Sequence, residues 1–450
     1  MAEVRKLDIE FSDRDLWKIA LPLVIERMLI TTVNLVDTVM VAQVGEAAVS
    51  AISLVGTTNA LFLTIFIALA SGGAIVTGQY LGRREMEKAR ASGEQLLLFM
   101  LEVSLLVVGL YYLAKPLIIG GVFGAIEADV AAYASTYFDI VTLSFPFMAV
   151  YSAGAALFRV MGDSRTTMWI SLMTNLINAA GNAVLIFGFG MGVAGAAIPT
   201  LVSRAVGAVV IVALLCRGGR PVQIKRFSLR HDRHLVGNIL RYGVPSGVEN
   251  SVFQLGKVLL LSTVALFGTA SVAANSISTT VTSFHSLPAE AMGLAMVSVV
   301  SRCVGANNME RAREYAKKLM KIAYILMLCG GIVIRLLLPL VLRVYNVSPE
   351  TEGYVRTLVT MYLIFGTLFW PSSFSMPQAL RAAGDARYTM SVSVVTMWTV
   401  RVGLGVLLGR FFGFGVVGVW AAMIADWFVR SILFVTRFRG TKWETKAIKE

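Results

Sequence analysis

The sequence places one aspartate, Asp37, inside a long apolar stretch, three residues after Asn34. Residues three apart share one face of a helix, so the amide and the carboxylate would stand side by side. Apolar surroundings favour the neutral form of a carboxylate, whereas a nearby cation favours its charged form. A proton and another cation therefore compete for such a group. We predict an ion-coupling site at Asp37 with Asn34.

Two glutamates, Glu26 and Glu249, form a second candidate site. Each follows a proline by four residues, and the glutamates are separated by the same distance in sequence as the prolines, Pro22 and Pro245. We predict that the two acids line a substrate cavity and attract organic cations. The alternative is an ion pair with Arg27 or Lys257 that holds the helices together, although Lys257 is about 80° round the helix from Glu249, which disfavours direct pairing. The predicted cavity residues are Glu26, Glu249, Lys257 and Trp370.

Other ionisable residues in apolar stretches are assigned structural roles. Arg204 and Arg430 occupy corresponding positions and are expected to bind loops or backbone carbonyls, with contact to an anionic substrate as the alternative. Asp426 precedes Arg430 by four residues, a spacing that favours an ion pair within one helix. His285 and Glu290 are five residues apart and point in different directions, so packing is expected rather than a proton relay.

The composition indicates that membrane-spanning elements position these groups. Of 450 residues, 56% are hydrophobic and 15% are charged, and the mean hydropathy is +0.73. Soluble domains are about 45–50% apolar and about 25% charged. A chain with this apolar composition is expected to be neither intrinsically disordered nor water-soluble. Three cysteines in this length also exclude a disulfide scaffold.

Twelve apolar segments recur along the chain, each long enough to cross a hydrocarbon core of about 30 Å. Runs of this length predict helices, because the strands of a membrane barrel alternate over about 10 residues. The predicted fold is an all-α polytopic membrane protein with twelve transmembrane helices. The predicted spans are 16–42, 51–77, 92–114, 132–157, 166–187, 193–215, 236–267, 272–300, 317–341, 355–379, 388–409 and 416–436.

The basic residues predict the orientation of the chain. The net charge is +13, and most Lys and Arg residues lie in the short gaps on one side of the predicted spans. This distribution favours a plasma membrane protein with both termini in the cytoplasm, rather than a protein that binds nucleic acid. The first apolar segment is too long for a cleavable signal peptide and has no small-residue cleavage pattern.

The two halves of the chain repeat each other. The offset that relates Glu26 to Glu249 also relates Gly82 to Gly305, and an offset shorter by one residue relates Arg159 to Arg381. Because each half holds six predicted spans, the repeats are parallel and related by an axis along the membrane normal. We therefore expect two pseudo-symmetric six-helix lobes with a cleft between them, an N-lobe at 1–220 and a C-lobe at 236–450, joined by a cytoplasmic linker at 221–235.

Short motifs throughout the chain resemble the multidrug and toxic compound extrusion (MATE) transporters. The resemblance implies a twelve-helix secondary antiporter that exports cationic amphiphilic drugs by alternating access, against an inward flow of H⁺ or Na⁺. We further expect Pro22 to act as a hinge. The motifs are VDTVMVA at 36–42, GRR at 82–84, KAR at 88–90, RVMGDS at 159–164, GFGMGVAGAA at 188–197, RAAGD at 381–385 and GFG at 413–415.

The resemblance adds Asn178, Asn182 and Thr200 to the coupling site of Asp37. Carboxylate, amide and hydroxyl oxygens suit a hard cation such as Na⁺, so these four residues also form a possible Na⁺ site. Some relatives carry a second acid where this chain has Asn182, and the choice between H⁺ and Na⁺ therefore stays open. The family's seventh-span acid is also missing here, since the matching residue is Phe253.

Small organic cations and the lipid bilayer are the expected partners. We expect no cofactor beyond the coupling ion, no catalytic residues, no nucleic acid and no obligate protein partner. The sequence has no glycine-rich phosphate loop that ends in Lys-Ser or Lys-Thr, so ATP is not the direct energy source. The alternative function is a flippase for a lipid-linked saccharide or another anionic amphiphile, which several intramembrane Arg and Lys residues would favour.

Overall fold

A computed structural model describes residues 10–117, 127–225 and 230–448. These residues form fourteen α-helices and short π-helical segments. Four basic residues used to predict the orientation, Arg5, Lys6, Arg226 and Lys449, lie outside the described residues. The helices are α1 (Asp13–Ala42), α2 (Glu46–Gly82), α3 (Met86–Leu117), α4 (Ala128–Thr142), α5 (Phe145–Val160), α6 (Ser164–Asn182), α7 (Gly192–Cys216), α8 (Arg233–Ala265), α9 (Thr269–Gly305), α10 (Met309–Tyr345), α11 (Pro349–Trp370), α12 (Met376–Ala382), α13 (Ala386–Thr396) and α14 (Gly415–Arg439).

The helices confirm an all-α polytopic membrane fold. Within the described ranges, ten helical segments are long and apolar enough to cross a membrane, and the bent pair α4 and α5, with an angle of 46°, is an eleventh candidate. The predicted seventh span coincides with α8, which is 33 residues long. Polar residues such as Gln254 and Lys257 lower the hydropathy of α8, so it is not among these candidates.

Within the part of the chain that the structure describes, four π-helical segments interrupt the spans, at Ala183–Gly188, Pro371–Ser375, Met397–Leu404 and Leu407–Phe411. A π-helical turn holds an extra residue and is frequent at functional sites. The last two segments lie between Gly384 and Gly415. Gly190 and Gly192 have φ values of 64° and 54°, and Gly413 and Gly415 have φ values of 74° and 55°, so the structure pairs Gly192 with Gly415. The offset between the repeats therefore grows by one residue over this interval, and Arg204 corresponds to Trp427 rather than, as expected, to Arg430. The second half thus carries one extra residue in this span, which has 26 residues against 25 in the first half.

A Gly-Asp pair separates consecutive helices at the same place in each half. Gly162 and Gly384 have φ values of 89° and 103°, a left-handed region in which glycine carries no steric penalty. Asp163 then begins α6, and its side chain accepts a hydrogen bond from the amide of Thr166. This capping satisfies an otherwise free donor at the helix start. Asp385 makes no such hydrogen bond at the start of α13, so the two motifs share the glycine turn but not the aspartate cap.

Contacts divide the chain into two compact units, which we call unit A (residues 25–247) and unit B (residues 1–24 and 248–450). The boundaries lie within α1 and α8, shortly after Pro22 and Pro245. The sequence repeats instead divide the chain at the linker. Two half-helices, the first part of α1 and the first part of α8, therefore belong to the unit opposite to their repeat.

Unit A brings α2 and the first part of α8 into close backbone contact. A Cβ atom on Gly72 would lie 2.6 Å from the amide nitrogen of Gly243 and 2.7 Å from the carbonyl oxygen of Ile239. Real Cβ atoms do not approach backbone atoms so closely. Glycine at position 72 is therefore required for this packing.

Unit B is built around α9, together with the first residues of α1. Leu16, Ile19 and Leu23 of α1 are buried in the same apolar core as α9, α10 and α14. The backbone amide of Phe11 donates to the hydroxyl of Tyr315 at 2.9 Å. The C-terminal tail also packs here, since Trp443 is fully buried. The start and the end of the described chain are thus fixed in one unit.

Candidate functional site

Asp37 lies in a hydrogen-bond network inside unit A. The carboxylate is half-buried, and Nδ2 of Asn182 donates to its Oδ1 at 3.0 Å. Asn178 has the orientation that satisfies its neighbours when its NH₂ group donates to both oxygens of Asp37, at 2.8 and 3.2 Å, and its oxygen accepts from the amide of Thr200 at 3.2 Å. Amide donors of this kind stabilise a charged carboxylate.

The close approach of α6 and α7 positions this network. A Cβ atom on Gly181 would lie 2.7 Å from Cβ of Pro199, so the glycine allows the two helices to touch. Asn178 and Asn182 are one helical turn apart on α6 and project toward Asp37 and Thr200. The structure thus brings together the aspartate and the three residues that the resemblance added.

Asn34 does not join this network. Its side chain is exposed, and its carbonyl oxygen accepts from Oγ1 of Thr38 at 2.8 Å. The one-turn spacing on α1 was correct, but the amides that contact Asp37 come from α6. The spacing of residues within α1 cannot identify partners that belong to another helix.

Glu26 is held in an ion pair inside unit A. Its carboxylate is 6% exposed and lies 3.7 Å from Nη1 of Arg159. The hydroxyl of Thr167 donates to its other oxygen at 3.0 Å. These partners come from α5 and α6, not from the neighbouring Arg27.

Glu249 has the corresponding ion pair inside unit B. It is 5% exposed, and its Oε1 lies 2.9 Å from Nη2 of Arg381 and 3.5 Å from Nη2 of Arg430. Arg381 also donates to Oγ1 of Thr389 at 3.2 Å. Neither partner is Arg27 or Lys257, the cations named in the alternative, yet the sequence contained the signal. Glu26 and Glu249, Arg159 and Arg381, and Thr167 and Thr389 are all repeat pairs.

Unit B also contains a group of cations around the ring of Phe253. Nζ of Lys257 is 5.1 Å from the ring centre, and the guanidinium carbons of Arg401 and Arg430 are 5.0 and 5.7 Å from it. We call Lys257, Arg401 and Arg430 the basic cluster. Asp426 faces it, with Oδ2 at 3.9 Å from Nη1 of both arginines.

The polar atoms of this region are only partly satisfied. Among the described residues, Nε of Arg401, Nε and Nη1 of Arg430, and both carboxylate oxygens of Asp426 are buried without a hydrogen-bond partner. The predicted pair between Asp426 and Arg430 is therefore a long electrostatic contact. Arg430 donates instead to Oγ of Ser393 at 2.6 Å.

The remaining sequence candidates have apolar or local partners. Trp370 is buried and stacks on Phe374, with ring centres 4.8 Å apart. Nε2 of His285 is 3.0 Å from the carbonyl oxygen of Met327, and Glu290 accepts from Oγ of Ser286 at 3.3 Å. Arg204 donates to Oγ of Ser144 at 2.7 Å. These contacts are compatible with the structural roles assigned to His285, Glu290 and Arg204.

The comparison with known proteins finds the same repeat in the two halves of the chain. The family model MatE matches twice, at residues 22–184 and 245–407. The chain is 28% identical to "Probable multidrug resistance protein NorM" of Thermotoga maritima, over 97% of this chain and 94% of that protein. It is 26% identical to "Uncharacterized transporter YisQ" of Bacillus subtilis, over 96% and 95%.

Solved structures share the fold over almost the whole chain. "Crystal structure of MATE in the bent conformation" superposes with a TM-score of 0.87 at 20% identity, covering 95% of this chain and 94% of that one. A Pyrococcus furiosus transporter, described as having reverse polarity of its binding pocket, gives 0.86 at 20% identity and covers 95% of each chain. With its doubled family match and its apolar helices, this chain belongs to the MATE family of multidrug efflux transporters and is not an enzyme.

Proposed function

We propose that this chain is a secondary antiporter that exports amphiphilic compounds by alternating access in exchange for H⁺, with Asp37 as the proton carrier. The observation that supports this function is the network around Asp37. It holds a single carboxylate in a membrane span against the side-chain amides of Asn178 and Asn182. Uptake or loss of one proton would change the hydrogen bond between Asp37 and Asn178.

The amide of Asn178 gives the proton a means of changing the network. A charged Asp37 accepts from the NH₂ group of Asn178. A neutral Asp37 is itself a donor, and its O–H would point at the oxygen of Asn178 after that amide has turned over, because the atoms are 2.8 Å apart. In the turned orientation the NH₂ group donates to Oγ1 of Thr200 at 3.1 Å. Both protonation states are therefore satisfied by one amide rotation.

Na⁺ is the alternative coupling ion, and the same contacts favour it less. Na⁺ binds oxygen atoms, whereas N–H groups of Asn178 and Asn182 occupy the oxygens of Asp37. Both amides would have to rotate before a cation could bind. Oδ1 of Asn182, which is buried without a hydrogen-bond partner, would supply one ligand after such a rotation.

Cationic amphiphiles are the substrate class that the family resemblance implies, and the name of the Thermotoga relative is that of a multidrug resistance protein. Glu26 and Glu249 give this class little support, because arginines neutralise both of them. A flippase for an anionic amphiphile is the second candidate function. It is favoured by the basic cluster in unit B.

The location proposed for this transporter is the plasma membrane, with both termini in the cytoplasm. The support is the distribution of Lys and Arg along the sequence. A hinge at Pro22 stays a prediction, supported by the unit boundary that follows it within α1.

Efflux from proteoliposomes tests the coupling proposal. We expect the wild-type protein to move the fluorescent cation ethidium when a pH gradient is imposed, and not when only a Na⁺ gradient is imposed. Asp37→Asn cannot release a proton, so gradient-driven transport should fall by about 10²-fold or more, in the range of lost proton-transfer steps.

The matched control is Asp139→Asn, which removes an acid of unit A that pairs with Lys115 rather than with α6. It should reach the membrane in normal amounts and transport at the wild-type rate. Undiminished proton-driven transport by Asp37→Asn would refute the role of Asp37. Transport driven by Na⁺ alone would assign the site to Na⁺.

A further inference from the structure

The basic cluster of unit B carries more positive charge than its surroundings neutralise. Lys257, Arg401 and Arg430 stand around one aromatic ring, and Asp426 is the anion that faces the two arginines. Glu249 is already held by Arg381, and Glu290 lies near Lys257. Buried guanidinium groups are stable when carboxylate or phosphate oxygens accept hydrogen bonds from their N–H groups.

Arg401 is a buried member of the cluster whose contact with a carboxylate is long. It is 7% exposed, and its nearest carboxylate oxygen, on Asp426, is 3.9 Å away. That separation is too long for a hydrogen bond. Among the described residues, the buried Nε of Arg401 has no partner. In the described part of the chain, the region therefore contains N–H groups of fixed geometry that have no hydrogen-bond acceptor from the protein.

The repeat shows that unit B lacks the acid of the other half and carries a cation one turn away from the corresponding position. With the offset that relates Glu26 to Glu249, Asp37 corresponds to Leu260, and Asn34 corresponds to Lys257. The half that carries the candidate proton site has a carboxylate where unit B has an apolar side chain. Unit B has gained cations in the same region of its fold. The electrostatic polarity of the two copies is inverted.

The geometry selects the chemistry of a ligand. Two guanidinium groups and an ammonium group bind an oxyanion, and carboxylates match the planar guanidinium fork. The aromatic side chains beside them, Phe253, Phe374 and Trp370, offer ring faces and edges. Lys257 is exposed, so the cluster has an edge that a ligand can reach.

We propose that the basic cluster binds the carboxylate of the exported compound, and that the compounds this transporter exports include aromatic carboxylates. In the absence of a ligand, Asp426 partly neutralises the two arginines through its long contacts. A ligand carboxylate takes direct hydrogen bonds from Arg401 and Arg430, with Lys257 at its edge. This assignment rests on the proposed export function and names a substrate class for it.

Binding of two matched pyrene probes to the detergent-purified protein tests the proposal. 1-Pyrenebutyrate carries a carboxylate and 1-pyrenebutanol is its uncharged analogue, and energy transfer from tryptophan reports either one. We expect the wild type to bind the butyrate about tenfold or more tightly than the butanol, as for a charge-assisted hydrogen-bonded pair.

Two variants change this preference in opposite directions. Arg401→Gln should weaken pyrenebutyrate binding by about tenfold and leave pyrenebutanol binding unchanged. Asp426→Asn removes the internal anion that competes for both arginines, so pyrenebutyrate should bind a few-fold more tightly. A purely structural cluster would lose affinity for both probes in both variants. Arg335→Gln removes an exposed arginine of α10 outside the cluster and should leave both affinities unchanged.

Several results would overturn the assignment. One is equal affinity of the wild type for the two probes. This measurement uses the wild type alone, so it does not depend on whether a variant folds. Another is an equal loss of affinity for both probes in Arg401→Gln or, if that protein does not fold, in Lys257→Gln. Displacement of pyrenebutyrate by soluble dihexanoylphosphatidylglycerol at lower concentration than by 2-naphthoate would assign the cluster to a lipid phosphate instead.

The binding measurement is independent of ion coupling. It needs no gradient, and it compares two probes that differ only at the group that the basic cluster would bind. Loss of proton coupling with retained selectivity for the carboxylate would refute the proposed function alone. Proton-driven transport of ethidium with no such selectivity would refute the carboxylate site alone.

Discussion

Single buried charges in this protein are neutralised by residues far away in sequence. Glu249 on α8 is paired with arginines of α12 and α14. Glu26 on α1 is paired with an arginine of α5. Removing one partner of a buried pair leaves the other charge unneutralised in a medium that solvates it poorly. These glutamates therefore contribute chiefly to the stability of each unit.

Glu249→Gln measures this contribution. The substitution leaves Arg381 without its counter-ion and Arg430 with only its long contact to Asp426, so we expect unfolding to become easier by about 3–5 kcal/mol. The measurement is thermal unfolding of the purified protein in detergent. Glu352→Gln is the control, because its pair with Arg356 is exposed and should contribute about 1 kcal/mol or less. Equal shifts for the two variants would contradict the stabilising role of the buried pair.

At the scale of single residues, the sequence identifies candidate functional side chains more readily than the residues that contact them. It selected Asp37, Asn178, Asn182 and Thr200, and the structure places these four together. Asn34 shares a helix face with Asp37 but not its contacts. The arginine partners of Glu26 and Glu249 were missed because one-dimensional spacing is informative only within a helix. The pairing of repeated acids with repeated arginines would have identified them.

The helices depend on a few positions where backbones touch. At Gly72 of α2, the backbone of α8 leaves no room for a side chain. Helix length and hydropathy were predictable from composition. The π-helical turns of the span that carries Arg401 were not, because an extra residue in a turn leaves the hydropathy of the span unchanged. The change in offset between the repeats was its trace in the sequence.

Gly72→Ala tests the contact between α2 and α8. The added methyl group would meet backbone atoms that cannot move independently, so we expect a loss of stability of about 1–3 kcal/mol. Gly56→Ala is the matched control on the same helix, where a Cβ atom would meet nothing within 4 Å. That variant should gain about 0.5–1 kcal/mol, since alanine favours a helix over glycine. Thermal unfolding that shifts in the same direction for both variants would contradict this packing.

At the scale of the whole molecule, the distribution of charge predicts which ends face the cytoplasm. The exposed Cys216 ends α7 next to Arg217, on the predicted inner side. In a protein whose other cysteines are replaced by serine, a membrane-impermeant maleimide should label Cys216 only after the cells are permeabilised. A cysteine placed at Glu46, at the predicted outer start of α2, should react in intact cells. The reverse pattern would invert the proposed topology.

Synthesis from the N-terminus meets a constraint in unit B. Residues 10–24 leave the ribosome before unit A, yet the residues they pack against, such as Tyr315, are made after it. The first half of α1 must therefore wait in the bilayer while all of unit A is inserted. A nascent chain arrested at the linker would expose an unpartnered apolar half-helix to quality-control proteases. Maturation of this transporter is thus completed only when the second repeat has been translated.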